Sequence, residues 1–157
     1  MKNRYVLFMA FILSFSISAN AQSNQNSKLE EAKKAIAESN ALYFKSSEQN
    51  DPSIFVNSYA NDACVLPPNA PIVCGKEALE KFFKTSYENG IRGGRFVTLD
   101  VFGDGIEYVT EIGTGQVWGA DKKIMDDFKY LVLWKKTKDG WKMYRDSFSS
   151  NLPASRK

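Results

Sequence analysis

The chain predicts an α+β fold in which helices pack on one face of a curved antiparallel sheet. Two observations carry that expectation. In the first half, apolar residues recur at three- and four-residue steps, the spacing of a helix stripe. Beyond Arg95 they alternate one by one, the spacing of strands with one buried face. Helices first and strands last is the order that segregates helices to one side of an antiparallel sheet.

The N-terminus reads as an export signal. Lys2 and Arg4 precede an apolar run from Tyr5 to Phe15, and Ala19-Asn20-Ala21 follows. That charged, apolar, A-x-A order belongs to a secretory signal peptide. The run is shorter than the roughly 20 residues a spanning helix needs, and no cysteine follows it to take a lipid. Residues 1–21 are expected to be cleaved after Ala21, leaving an exported protein, periplasmic or secreted, with no membrane attachment. Residues 22–27 (QSNQNS) are a polar leader, 28–153 the folded domain and 154–157 a polar tail.

Each element has its own signal. Leu29, Ala32, Ile36, Asn40 and Tyr43 form one stripe, which predicts a helix from Lys28 to about Gln49. Asp51 as N-cap and Pro52 in the first turn start a short helix through Ile54, Phe55 and Tyr59. Short strands are expected at Ala63 to Leu66 and Ile72 to Cys74, around the loop P-P-N-A-P. Lys76 to Glu88 follows as a helix with Leu79, Phe82, Phe83, Ser86 and Tyr87 on one side. Glu77–Lys81 and Glu80–Lys84 support it at i,i+4, and Asn89-Gly90 closes it. In the strand after Arg95, Val97, Leu99 and Val101 share one face. Asp104-Gly105 signals a two-residue hairpin into Ile106 to Trp118. Ile124 to Lys136 and Trp141 to Ser149 pair last, through Lys138-Asp139-Gly140.

Composition excludes several functions. The chain contains no histidine, which removes Ser-His-Asp and Cys-His nucleophilic pairs, histidine metal sites and histidine acid–base chemistry. Two cysteines cannot build a four-ligand zinc site, and no metal site is expected. Without its signal the chain carries 19 basic and 18 acidic residues, too balanced for a nucleic-acid footprint. Neither phosphate-binding glycine motif is present. Eleven Phe, seven Tyr and three Trp allow a ring-lined core or cavity.

Four strings carry a resemblance: Y-A-N-D-A-C-V-L-P-P (59–68), G-K-E-A-L-E-K-F-F (75–83), Y-L-V-L-W-K-K (130–136) and D-G-W-K-M-Y-R-D (139–146). In this order they resemble the nuclear-transport-factor-2-like, or SnoaL-like, superfamily of ketosteroid isomerases and polyketide cyclases. The nearest likeness is to its secreted branch, known only as a domain of unknown function. The resemblance implies a cone, a curved sheet wrapped around the N-terminal helix and enclosing a cavity. It also implies a homodimer through the outer sheet face and no cofactor.

The isomerase mechanism uses an Asp base with a Tyr and a protonated Asp as oxyanion donors. Its Y/F-A-D-D-A-T-V-E-D-P string lies without gaps on Tyr59 to Pro68, which sets the base on Pro67, unable to take a proton. The catalytic tyrosine falls on Tyr43 and the second donor near Leu131, between Tyr130 and Val132. A cyclase-like or isomerase-like reaction would instead rest on Asp146 with Tyr43. Matching R-D-S-F turns Tyr144, Asp146 and Phe148 toward the cavity. The expected wall is Tyr43, Tyr59, Leu66, Pro67, Trp118, Leu131, Leu133, Tyr144, Asp146 and Phe148. Asp146 reads two ways, as a ligand-contacting carboxylate or as an acceptor that fixes the last strand. Trp134 and Trp141 are expected to pack on each other or on a dimer partner, and Asp126-Asp127 to be a solvated edge. Arg92-Gly-Gly-Arg95 reads as an anion site or a loop entering a strand.

Three functions remain: a binder of a small hydrophobic or aromatic molecule, a cofactor-independent isomerase or cyclase, and an interaction module with a filled cavity. A cavity of ~300 Å³ or more separates the first from the third. An exposed Asp146, or one beyond hydrogen-bond reach of the Tyr43 hydroxyl, would remove the second. If Leu66 faces Ile72, Cys64 lies opposite Cys74, and export permits a disulfide between them. The alternative is a reduced pair with one thiol facing the cavity.

Overall fold

The computed structural model describes residues 25–153. The expected signal segment 1–21 and the expected tail 154–157 lie outside the described residues. Helix α1 covers residues 25–43, so the last three residues of the expected leader are helical. The expected continuous helix to Gln49 is broken at Phe44, and α2 follows at Lys45–Gln49. The Ser46 hydroxyl and the Ser47 amide take the carbonyls of Tyr43 and Phe44, which satisfies the break. Neighbours on a regular helix point about 100° apart. The turn lets both Tyr43 and Phe44 reach the interior, where each packs against Phe96.

Helix α3, Pro52–Asn57, starts as expected, with Asp51 accepting from the Ser53 amide at 2.8 Å. It ends before Tyr59, which opens β1, Tyr59–Leu66. Strand β2 is Val73–Cys74 and helix α4 is Lys76–Glu88. Strands β3 (Gly93–Gly103), β4 (Tyr108–Trp118), β5 (Ile124–Thr137) and β6 (Gly140–Ser150) complete the chain. The turn after β3 is wider than two residues. The Asp104 carboxylate accepts from the amides of Ile106, Glu107 and Tyr108 and organises the longer loop.

The sheet order is β2-β1-β6-β5-β4-β3. All pairs are antiparallel except β1 with β6, which run parallel because α4 and the meander intervene between them. The sheet is curved and unclosed, and α1 packs on its concave side, with Ala32 and Ile36 fully buried in the common core. Bulges interrupt the ladders at Leu99, Met125 and Tyr144. A bulge bends its strand and moves every later residue to the opposite face. Hence Val101 is buried although Val97 and Leu99 are exposed.

Cys64 and Cys74 face each other across β1 and β2 and are joined by a disulfide. Closing a loop of this length contributes about 2.5 kcal/mol in the chain-entropy account. The bond ties the short edge strand β2, and with it the start of α4, to the sheet.

Candidate functional site

The open end of the cone holds a cavity of about 300 Å³. Helices supply Tyr43, Phe55, Phe82 and Phe83 to its wall, the turn between α1 and α2 supplies Phe44, and strands supply Phe96, Phe128, Tyr130 and Phe148. Several of these nine rings touch in sequence: Tyr43 meets Phe96 at 5.0 Å between centroids and Phe96 meets Tyr130 at 5.1 Å. Phe128 meets Phe148 at 6.1 Å. Asn89, Ile91, Val117, Met125 and Asp126 complete the lining with Ser47 and Ser86. Two glycines on β4 make the room. A β-carbon at Gly113 would collide with the Tyr130 ring, and one at Gly115 with the Phe128 ring.

One deeply buried carboxylate stands in this wall. Asp146 is 8% exposed, and its Oδ2 accepts the Tyr59 hydroxyl at 2.7 Å. The Tyr43 hydroxyl lies 3.2 Å from that of Tyr59. Tyr59 spends its proton on Asp146, so Tyr43 donates to Tyr59 and both protons run toward the carboxylate. Burial pushes the Asp146 carboxyl up to about 6, helped by the charge of Glu111 and opposed by the Tyr59 hydrogen bond. Burial, with the Asp146 charge, also holds the Tyr43 and Tyr59 hydroxyls far above their ordinary range. Both phenols stay protonated.

A second carboxylate lies within the core. Glu111 on β4 has no exposed surface. Its Oε1 accepts from Asn40 Nδ2 at 2.8 Å, Thr98 Oγ1 at 2.7 Å and Tyr130 Oη at 2.8 Å, and its Oε2 from Trp134 Nε1 at 2.9 Å. It joins α1, β3, β4 and β5 through one side chain. Trp134 is therefore fully buried and tied to Glu111, not stacked on Trp141 or on a partner.

The expected residues separate into two groups. Tyr43, Asp146 and Phe148 line the cavity, and Tyr59 is buried beside them on the Asp146 carboxylate. Six others lie elsewhere. Leu131 is 49% exposed and Leu133 points the same way, because the even-numbered residues of β5, Phe128 to Trp134, form its buried face. Tyr144 falls on the β6 bulge and turns out, against Tyr108 and the guanidinium of Arg145. On β1 it is Val65 that is buried, so Leu66 and Pro67 lie away from the cavity. Trp118 sits over Gly93 at the far end of β4, its indole nitrogen buried without a partner among the described residues.

One local expectation changes, and at Arg92-Gly-Gly-Arg95 the reading as a loop entering a strand is favoured. Asp126 lines the cavity and accepts the Ser150 hydroxyl at 2.6 Å, while Asp127 takes the side chains of Gln116 and Asn151. Arg92 folds over the Tyr87 ring and bonds the carbonyls of Tyr87 and Ile91, so it is committed locally. Glu111 was legible only in part: it shares an alternating face with Val109, Gly113 and Gly115, where an acid is out of place. Its four donors come from distant parts of the chain and leave no local pattern.

No protein-family model matches the chain, and none of the curated proteins matches it. Solved structures do. A nuclear-transport-factor-2-like protein with a cystatin-like fold from Novosphingobium aromaticivorans superposes with a TM-score of 0.70 at 13% identity, covering 83% of this chain and 88% of that one. A ketosteroid isomerase-like protein from Erwinia carotovora atroseptica gives a TM-score of 0.65 at 17% identity, over 82% and 99%. A protein of unknown function with a cystatin-like fold from Nostoc punctiforme gives 0.66 at 19% identity, over 77% and 93%. The chain has the cystatin-like, nuclear-transport-factor-2-like fold. Fold at this identity carries no activity with it.

Proposed function

We propose that the protein is an exported small-molecule-binding domain that takes a hydrophobic or aromatic ligand into the cone. One observation carries the reading: a cavity of about 300 Å³, walled by nine aromatic side chains, holds a single deeply buried carboxylate. Concave, mostly apolar sites with a few placed polar groups are the usual form of ligand pockets. The open cavity disfavours an interaction module with a filled core. Export follows from the signal-like N-terminus. A homodimer through the outer sheet face is part of the proposal, supported by the exposed Val97, Leu99 and Leu131.

Native mass spectrometry and titration with neutral N-phenylnaphthylamine test it together. The protein is expected to run as a dimer and to bind one dye per chain. Ser86→Trp, which fills the cavity from α4, is expected to weaken the dye about tenfold or more, at least ~1.4 kcal/mol. A wild type that leaves the dye in water, or a Ser86→Trp variant that binds it unchanged, would refute the cavity as a site. A monomer would refute the dimer.

A second reading is supported by the Asp146 carboxyl near 6, inside the range where a base works at neutral pH. Asp146 would take a proton from a carbon beside a ketone and return it elsewhere. This stands second because the Tyr43 and Tyr59 protons already point at Asp146, which leaves no tyrosine donor for the oxyanion. Deuterium uptake from solvent into a bound aryl ketone, lost in Asp146→Asn, is its expected result; no uptake above the uncatalysed rate removes it.

A further inference from the structure

We infer that the ligand is a lipophilic amine, held as its ammonium ion by Asp146 inside the ring of aromatic faces. The inference rests on the binding reading above and narrows it to one chemical class. Three features of the cavity agree. Its charge has one sign: Asp146 and Asp126 line it, and no lysine or arginine among the described residues does. An anionic ligand would meet two carboxylates and no counter-charge.

The hydrogen-bonding direction is also one-sided. Tyr43 donates to Tyr59 and Tyr59 to Asp146 Oδ2, so this corner offers lone pairs and no spare proton. No described group donates to Asp146 Oδ1. The Ser86 hydroxyl is spent on the Phe82 carbonyl at 2.9 Å. A ketone or a carboxylate brings further acceptors to a corner that already has them, whereas an ammonium brings donors. Finally, the surrounding walls are built largely of aromatic rings. Phe96, Phe128, Tyr130 and Phe148 lie within one contact chain around the space beside Asp146. Aromatic faces attract a desolvated cation, and cages of this type recognise organic ammonium groups.

A single buried carboxylate in a ring-lined cavity is costly to a protein that never meets a cation, since an unpaired buried charge is expensive. The ammonium supplies the missing partner, and the apolar body of the amine fills the remaining wall.

The test uses three probes of one shape on the purified protein: phenylbutylamine, phenylbutanol and phenylbutanoate, by calorimetry at neutral pH. The amine is expected to bind about tenfold or more tighter than the alcohol, and the acid more weakly than either. Asp146→Asn is expected to bring the amine-to-alcohol affinity ratio down to about one. An alcohol or acid that binds as tightly as the amine overturns the amine assignment and leaves the cavity as a binding site. A ratio unchanged in Asp146→Asn overturns the role of Asp146. Failure of all three probes, with the dye also excluded, overturns the binding reading itself.

Discussion

Replacing Asp146 with Asn is expected to make the protein more stable at neutral and alkaline pH, by about 3 kcal/mol relative to its effect in acid. The sign follows from the shift. Burial raises the Asp146 carboxyl from 3.8 to about 6 in the folded protein, so between those values the folded state holds a proton that the unfolded chain has released. Stability supplied by that proton is fully present below the unfolded value and is lost as pH rises through about 6. Above it, wild-type protein carries a desolvated charge compensated by one hydrogen bond. Asn has nearly the same shape, accepts from Tyr59 through its carbonyl, and has no charge to desolvate. Denaturant unfolding of both proteins from about pH 4 to about pH 8 isolates the effect, because exposed carboxylates with lowered pKa, such as Asp62 and Asp104, are common to both. A difference between the two that stays flat with pH would show that Asp146 is not a desolvated carboxylate. A residue whose removal stabilises the fold yet ends ligand discrimination is kept for binding.

How far the sequence reaches is set by where the relevant interactions lie along it. Helix α4 was readable end to end because its signals are local: an apolar stripe from Leu79 to Phe83, i,i+4 ion pairs, and Asn89-Gly90 at the close. Lys84 does bind Glu80, at 2.6 Å. The cysteine pair was readable because an antiparallel register across one short loop fixes both partners. The cavity wall was harder. Alternation identifies the two faces of a strand but not which one is buried, and Leu131 and Leu133 were assigned to the side that Tyr130 and Val132 occupy. Bulges at Leu99 and Tyr144 reverse the parity midway along their strands with no glycine or proline to mark them. The break after Tyr43 was equally silent, since Phe44 is an ordinary helix residue until tertiary packing turns it inward. Phe55 and Phe82 are visible as apolar helix positions, but only the convergence of Phe55, Phe82, Phe96 and Phe128 from four elements shows that they leave a space between them.

The two buried carboxylates differ in what surrounds them, and this predicts opposite outcomes of removing them. Glu111→Ala is expected to destabilise the protein by about 3–5 kcal/mol. The substitution takes the acceptor from Asn40, Thr98, Tyr130 and Trp134, and the last two are buried where water does not replace it, while Thr98 is exposed and Asn40 half-buried. It also opens a void beneath the cavity wall, since Tyr130 is held against Glu111 on one side and lines the cavity on the other. Glu111→Gln keeps the volume but turns one oxygen into a donor. Either Trp134 or the trio on Oε1 then faces an amide proton, for a smaller loss of about 1–3 kcal/mol. Chemical denaturation measures both, and near-ultraviolet circular dichroism of Trp134 reports whether the indole stays ordered. A loss below about 1 kcal/mol for Glu111→Ala would mean that the four hydrogen bonds are not a structural hub. Glu111 accepts four donors and has no need of a ligand. Asp146 accepts one, faces the cavity, and has a place for a donor that none of the described residues provides.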